Sequence, residues 1–493
     1  MYQFLLSTID QEVYEFFSFL LDNRLKKIDL TTCAKQLKHS KNRMLMICDR
    51  AKEFRQNYPY FTLEIADDLT IYCHFSSNFL LSKLYALMLE DTIPFRILDR
   101  LFSQKYISLE KTAQQYFVSD RTVQRKLKEL DRILSNYNIG LDLKSKSLFK
   151  GAEYRIRYFF HTMYWQVFDE NRIKNFDLKK SSLVQLRQRL TSLPTHYRNI
   201  DIDKFIQIIA ISVYRMKRGY FIHEIPQEMT EINHLYISFD TFKEEIMTPL
   251  FEENYLHMNI PKKEYYFLYY MFTVITTYLP EEVPEQLKKD QQTKGAPEMA
   301  WLFARTAQSF FKLPLSKVIL NYLVMNVLTI HSTSIVFASE NKMDAFGKST
   351  TEADYLRVFP KIYPRVKEMY ALLSEQSPFF AEMYTANNRL LFQYSMLLSL
   401  VVQPSAQPIR LFHESKFGKI QEAKQKRRIR QLLNDAVVFV DEAPEIVLTD
   451  YPVDREKFKK QNPDVHFFKW HSFQTTEKWV ELVEYIEQQQ ENV

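Results

Sequence analysis

The chain has 493 residues, 46% of them hydrophobic and 26% charged, which allows several domains with sizeable cores and an ordinary soluble surface. Only 6 residues are Gly, and neither G-x-G-x-x-G nor G-x-x-x-x-G-K-[ST] occurs, which argues against the Gly-rich phosphate loops of α/β nucleotide-binding enzymes. The net charge of +6 falls mostly in residues 1–150, where 23 Lys and Arg stand against 18 Asp and Glu.

In chain order, Val13, Phe16, Phe17 and Leu20 share one side of a helix within residues 1–20. Leu30, Ala34, Leu37, Ser40, Met44 and Cys48 then have the spacing of a helix-turn-helix. A small Ala lets two helices cross closely, a Ser caps the second helix, and a buried residue follows four positions later. Phe61–Ile65 and Leu69–Phe75, around Ala66-Asp67-Asp68, predict a β-hairpin wing. The helix-turn-helix pattern returns 79 residues on, as Leu109, Ala113, Tyr116, Ser119, Val123 and Leu127. Segments 139–143 and 147–151 predict a second wing. Long amphipathic helices follow at 157–168, 202–217 and 262–278, then a polar linker with Pro284 and Pro297, then helices at 299–311, 317–331, 364–374 and 389–402. After Gln403–Pro408 the period changes, and strands at 409–412, 436–440, 445–449 and 465–470 with helices between predict a small parallel α/β domain.

The second helix-turn-helix carries the clearest chemistry. Val123, Leu127, Leu130 and Leu134 form its inward stripe, while Arg121, Thr122, Gln124, Arg125 and Lys128 point elsewhere. A packed back and a basic, amide-bearing front suit a helix that reads the DNA major groove, because Arg and Gln match the guanine and adenine edges. A solvated charged face is the plainer reading, and the doubled pattern favours the groove. In the first copy Lys41, Asn42 and Arg43 are candidates, although Met44, Leu45 and Met46 make that helix unusually apolar. The basic run Lys416–Arg430 lacks interleaved aromatic residues and is better read as a solvated helix face. The aromatic stretch Tyr265–Tyr278 is better read as core or interface than as a ligand pocket.

Cys33, Cys48 and Cys73 form no C-x-x-C pair, so neither a disulfide framework nor a zinc site is expected. The start of the chain lacks the basic and apolar regions of a signal peptide. No stretch is expected to reach the roughly 18 to 20 uncharged apolar residues of a membrane span, since the longest candidates, such as 315–331, are interrupted by polar groups. A soluble, cytoplasmic protein with no membrane partner, cofactor, metal or catalytic residue is therefore expected.

The order winged helix, winged helix, two helical domains and small α/β domain resembles the Mga/AtxA-like transcriptional regulators of Gram-positive bacteria. The most specific part is Val118–Leu127, followed by Gly151-x-Glu153-x-Arg155-Ile156-Arg157-x-Phe159-Phe160 and Tyr164-Trp165. The resemblance implies a mainly α, multidomain protein. Its parts would be winged helix-turn-helix domains at 1–77 and 78–155, phosphotransferase-system regulation domains (PRD-like) at 156–290 and 291–403, and an EIIB-like α/β domain at 404–493. It implies a DNA-binding regulator of the global or virulence type, an activator, dimeric, with duplex DNA and phosphotransferase-system phosphocarrier proteins as partners. His331, His196 and His223 are then the candidate phosphorylation sites. The chain departs from the family pattern at Ile208 and Met271, where phosphorylatable histidines would be expected. It departs again in Phe412–Lys419, which has no nucleophilic Cys. The alternatives are a phosphotransferase-system-linked enzyme component and an RNA-binding antiterminator.

Overall fold

The computed structural model describes all residues except 1–4, 107, 166–175, 177, 194–196, 255–258, 286–295, 338–351, 387–388, 403–407, 434–435, 471–474 and 492–493. The chain is mainly helical with small sheets, and it divides into two compact units, Met1–Leu398 and Ser399–Val493.

Helix α1 (Thr8–Asp22) buries Val13, Phe16, Phe17 and Leu20, the side their spacing predicts. Helices α2 (Leu30–Gln36) and α3 (Lys41–Glu53) form the first helix-turn-helix, and the Ser40 side chain caps α3 by accepting from the Arg43 amide. Strands β1 (Lys27–Asp29), β2 (Phe61–Ile65) and β3 (Thr70–Phe75) make a sheet in the order β1-β3-β2, with Phe61 opposite Phe75 and Ile65 opposite Ile71. β1 had no predicted counterpart, because three residues are too few to show alternation.

Helices α4 (Leu81–Asp91) and α5 (Ile93–Phe102) were also not predicted. Pro94 interrupts the helical pattern there, yet Thr92 ends α4 and caps α5, accepting from the Phe95 amide at 3.3 Å. The stretch is a helix corner rather than a break, since Pro is tolerated in a first helical turn. Helices α6 (Leu109–Gln115) and α7 (Asp120–Ser135) form the second helix-turn-helix, and strands β4 (Gly140–Asp142) and β5 (Leu148–Lys150) form its wing.

The 79-residue repeat extends to the backbone. Asp29 and Ser108 cap the first helices, and Ser40 and Ser119 cap the second. The turns place Lys38 and Phe117 at φ 59° and 55°, and the wings place Leu69 and Leu148 at φ 64° and 62°. These left-handed positions are unusual for residues other than Gly, so their recurrence marks two copies of one winged-helix architecture.

Helix α8 (Glu153–Trp165) leads into the helices Lys180–Ser192, Asn199–Met216, Thr248–Glu253 and Lys262–Val274. Ala296–Phe310, Lys317–Val336, Glu352–Val358, Ile362–Gln376, Pro378–Ala386 and Leu390–Leu398 follow. Tyr265, Phe267, Tyr269, Tyr270 and Phe272 are buried, so the aromatic stretch is core. Contrary to expectation, Lys317–Val336 is long and apolar enough to cross a membrane. In the fold it packs inside the helical region. Tyr322, Leu323 and Val327 are fully buried, and the Asn326 side chain donates to the Tyr278 carbonyl at 3.0 Å.

Two buried histidines make this region acid-sensitive. Burial pushes His161 down to about 3, helped by Lys204, and burial alone pushes His234 to about 3. Below the ordinary value of 6.5 the unfolded chain takes up protons that the folded chain refuses. Stability is therefore whole above about pH 6.5 and falls as pH drops towards 3, by about 2 kcal/mol per histidine at pH 5. Thermal melts at pH 7 and pH 5 should show this, and replacing His234 with Gln should reduce the difference.

The second unit is a parallel sheet of β6 (Ile409–Glu414), β7 (Val437–Phe439), β8 (Ile446–Thr449) and β9 (His466–Lys469), in the order β7-β6-β8-β9. Leu411, Ile429, Leu448, Leu482 and Ile486 pack in one cluster, and Phe412, Val447, Phe458 and Val465 in another. Successive residues of β6 (Leu411, Phe412) and of β8 (Ile446, Val447, Leu448) fall in different clusters, as a sheet covered on two faces requires.

Candidate nucleic-acid interface

Helix α7 has the amphipathic construction its sequence implies. Val123, Leu127, Leu130, Ile133 and Leu134 are buried. Arg121, Gln124, Arg125 and Lys128 are exposed, and among the described residues they have no ion pair or hydrogen-bond partner. Ser119 accepts from the Thr122 amide at 3.2 Å, and the two hydroxyls lie 2.9 Å apart. Ser119 and Thr122 thus fix the start of α7, a structural job that still leaves them beside the exposed face. The neighbouring Lys126 is paired with Glu129 at 3.0 Å.

The first copy is differently committed. Lys41 and Asn42 are exposed, but Arg43 turns back onto α1, with Nε 2.7 Å and Nη2 2.6 Å from Glu12. Arg50 pairs with Asp10 at 2.7 Å and with Glu53 at 2.6 Å. Much of the positive charge of α3 therefore holds α1 in place, while the basic front of α7 is unpaired.

Lysines in the second wing, Lys144, Lys146 and Lys150, are exposed and were not picked out from sequence. Their signal was available, since alternate lysines stand on a hairpin turn beside the basic-faced second helix of a helix-turn-helix. The wing is anchored to α7 by Asp131, whose carboxylate accepts from the Leu141 amide at 2.7 Å. Residues 121, 124, 128 and 131 form one helical stripe, so the wing root continues the line of Arg121, Gln124 and Lys128.

The run from Gly151 to Arg157 explains itself in three dimensions. Gly151 has φ +117°, and a Cβ there would sit 2.6 Å from the Asn138 carbonyl oxygen, so only Gly fits between wing and α8. Glu153 and Arg157 belong to a buried ion cluster with Arg215 and Glu264. Arg157 donates to Glu264 at 2.5 and 3.0 Å and to Glu153 at 3.0 Å. Arg215 donates to the two Glu153 oxygens at 2.9 and 2.8 Å. Two cations and two anions balance, with Arg157, Arg215 and Glu264 wholly buried. Burial works against the Arg157 cation, but Glu264 and Glu153 outweigh it and raise its pKa.

The candidate phosphorylation sites differ in access. His331 is fully buried, its Nε2 sits 2.6 Å from the Tyr394 hydroxyl, and the Phe379 and Phe380 rings stand against it. A phosphoryl donor cannot reach it in this conformation. His223 is exposed. His196 lies outside the described residues. In the second unit, the loop after β6 is closed by Asp450, which accepts from the Ser415 hydroxyl at 2.9 Å and the Lys416 amide at 2.7 Å. Where an EIIB-like loop would offer a thiol, this loop has Ser415 bonded to a carboxylate.

The three cysteines are buried and free. Burial raises their thiols, Cys33 to about 11 and Cys48 and Cys73 to about 12, which keeps them protonated and poor as nucleophiles or ligands.

Residues 77–164 match the family model of the Mga helix-turn-helix domain. The matched span covers α4 to α8 almost completely, including α7, the second wing and the Gly151–Arg157 run. The match is consistent with a Mga/AtxA-like regulator and supports a DNA-binding transcriptional regulator with DNA as its partner. No curated protein matches the chain.

Proposed function

We propose that this regulator docks on duplex DNA through two winged helix-turn-helix domains, 1–77 and 78–155, with α7 as the main reader of base edges. Ser119, Arg121, Thr122, Gln124, Arg125 and Lys128 make up that surface, and Lys41 and Asn42 add phosphate contacts from the first copy. The observation that carries this reading is the unpaired, exposed face of α7 backed by five buried aliphatic residues. A gel-shift comparison of duplex DNA with hairpin RNA tests it. Preference for duplex is expected, with affinity falling by about 0.9 log units per neutralised phosphate for each tenfold rise in salt. Preference for the hairpin would favour an antiterminator instead.

In this proposal, 156–290 and 291–403 are PRD-like domains, 404–493 is EIIB-like, and the chain is an intracellular, dimeric activator. Dimerisation supports DNA binding because joining two reading heads raises the effective concentration of the second. The absence of Cys from 404–493 and the closed Asp450 loop favour contact over phosphotransfer as the role of this unit. Deleting residues 405–493 should shift sedimentation towards monomer and weaken binding to a long duplex more than to a single short site. A full-length chain that remains monomeric at micromolar concentration contradicts the dimer. Of the two candidate histidines among the described residues, His223 is the exposed one and within reach of a phosphocarrier protein. Incubation with the general phosphotransferase proteins and labelled phosphoenolpyruvate would decide it, since no label on any His removes the proposal.

A further inference from the structure

The ion cluster has an outlet towards the DNA-binding surface. The Tyr220 carbonyl accepts from Arg157 Nη2 at 2.8 Å, and the Arg215 guanidinium lies 4.1 Å from the centre of the Tyr220 ring. The far end of the same side chain donates from its hydroxyl to the Lys146 carbonyl, at the tip of the second wing, at 2.7 Å. Gln104, just beyond α5, donates to that carbonyl at 3.2 Å and also bonds the Tyr220 hydroxyl. One aromatic side chain thus spans from a buried charge cluster in the helical region to the wing backbone.

The wing needs such a hold. It has only two short strands among the described residues, and its turn keeps Leu148 at φ 62°. Ser145 stitches the turn locally, donating to the Asp142 carbonyl at 3.0 Å and accepting from the Leu148 amide at 3.1 Å. The Lys146 carbonyl is tied from outside, by Tyr220 and Gln104. Lys144 and Lys146 are exposed on this turn, and Asp131 joins the wing root to the α7 stripe.

We propose that Tyr220 is a positioning residue for DNA docking. It holds the β4–β5 wing so that Lys144 and Lys146 meet backbone phosphate, and it makes the wing the point where the helical region acts on DNA affinity. This rests on the reading of the second winged helix as a duplex-binding domain. A shift of the Arg157–Glu264 pair moves the Tyr220 backbone directly, and the ring carries that movement to the wing.

The test measures duplex affinity across a salt series for the full-length protein, Tyr220→Phe, Lys144→Ala/Lys146→Ala and the triple variant. Tyr220→Phe keeps the ring over Arg215 and removes only the hydroxyl. Its affinity should fall about threefold to tenfold, the range for the one hydrogen bond lost from the wing carbonyl. The lysine variant should lower the salt slope by about 0.9 for each lost phosphate contact, and Tyr220→Phe should lower it in the same direction. The triple variant should bind no more weakly than the lysine variant, because the two changes act through one element. A Tyr220→Phe protein with the original slope, or a loss that adds in full to that of the lysine variant, overturns the proposal. So does a lysine variant with an unchanged slope. Arg121→Ala/Arg125→Ala run alongside separates the two levels. If it loses binding while the wing variants keep it, the winged helix still reads duplex and only the role of Tyr220 falls. If it too binds as the unmodified protein does, the reading beneath the proposal falls with it.

Discussion

Arg157→Ala should destabilise the folded protein by about 3–5 kcal/mol, the cost of breaking a buried ion pair and leaving its partner charged and unpaired. The substitution strands Glu264, which is fully buried and takes both of its shortest ionic contacts from Arg157. It also removes one of the two guanidinium groups on Glu153 and frees the Tyr220 carbonyl. Three elements lose a common anchor together: α8, the end of Asn199–Met216 and the start of Lys262–Val274. The loss should be read by urea or thermal unfolding beside Arg155→Ala, whose partner is the Tyr154 hydroxyl at 3.0 Å in a half-exposed setting. Arg155→Ala should stay within about 1 kcal/mol of the unmodified protein. Equal effects of the two would mean that the buried cluster contributes nothing special.

Arg121→Ala combined with Arg125→Ala should abolish most duplex binding and leave unfolding unchanged. Both side chains leave α7 away from Val123 and Leu127, and neither has an ionic partner among the described residues, so little packing is lost. Each lost bidentate base contact costs about 1–3 kcal/mol, so the pair should weaken a specific site by at least tenfold. Affinity measured at fixed salt and found unchanged would remove α7 as the main reader. Lys41→Ala with Asn42→Ala is the matching change in the first copy. Its effect should be smaller and should appear in salt dependence rather than base preference, because Arg43 is already engaged by Glu12.

Much of this protein is decided by local pattern. The 79-residue spacing determines both helix-turn-helix units, because a crossing Ala, a capping Ser and a buried residue one turn later are local requirements of that motif. The stripe of α7 is local too, since a helix period assigns inward and outward positions without reference to the rest of the chain. The four strands of the second unit were legible from their change of period. Elements that break local pattern were not: α4 and α5, joined through Thr92 and Pro94, and β1, which exists only because β3 offers it a partner.

What tertiary structure alone decided is which charges are free. In sequence Arg43, Arg50 and Arg157 look like Arg121 and Arg125. Their partners Glu12, Asp10 and Glu264 lie 31, 40 and 107 residues away, and no spacing rule links them. His331 likewise reads as an accessible imidazole until three aromatic rings close around it. Helix and strand periods depend on neighbours a few positions away, so they are written in the sequence. Whether a charged group is free to meet DNA or is engaged inside the fold depends on the opposite charges that the completed fold brings within about 4 Å of it.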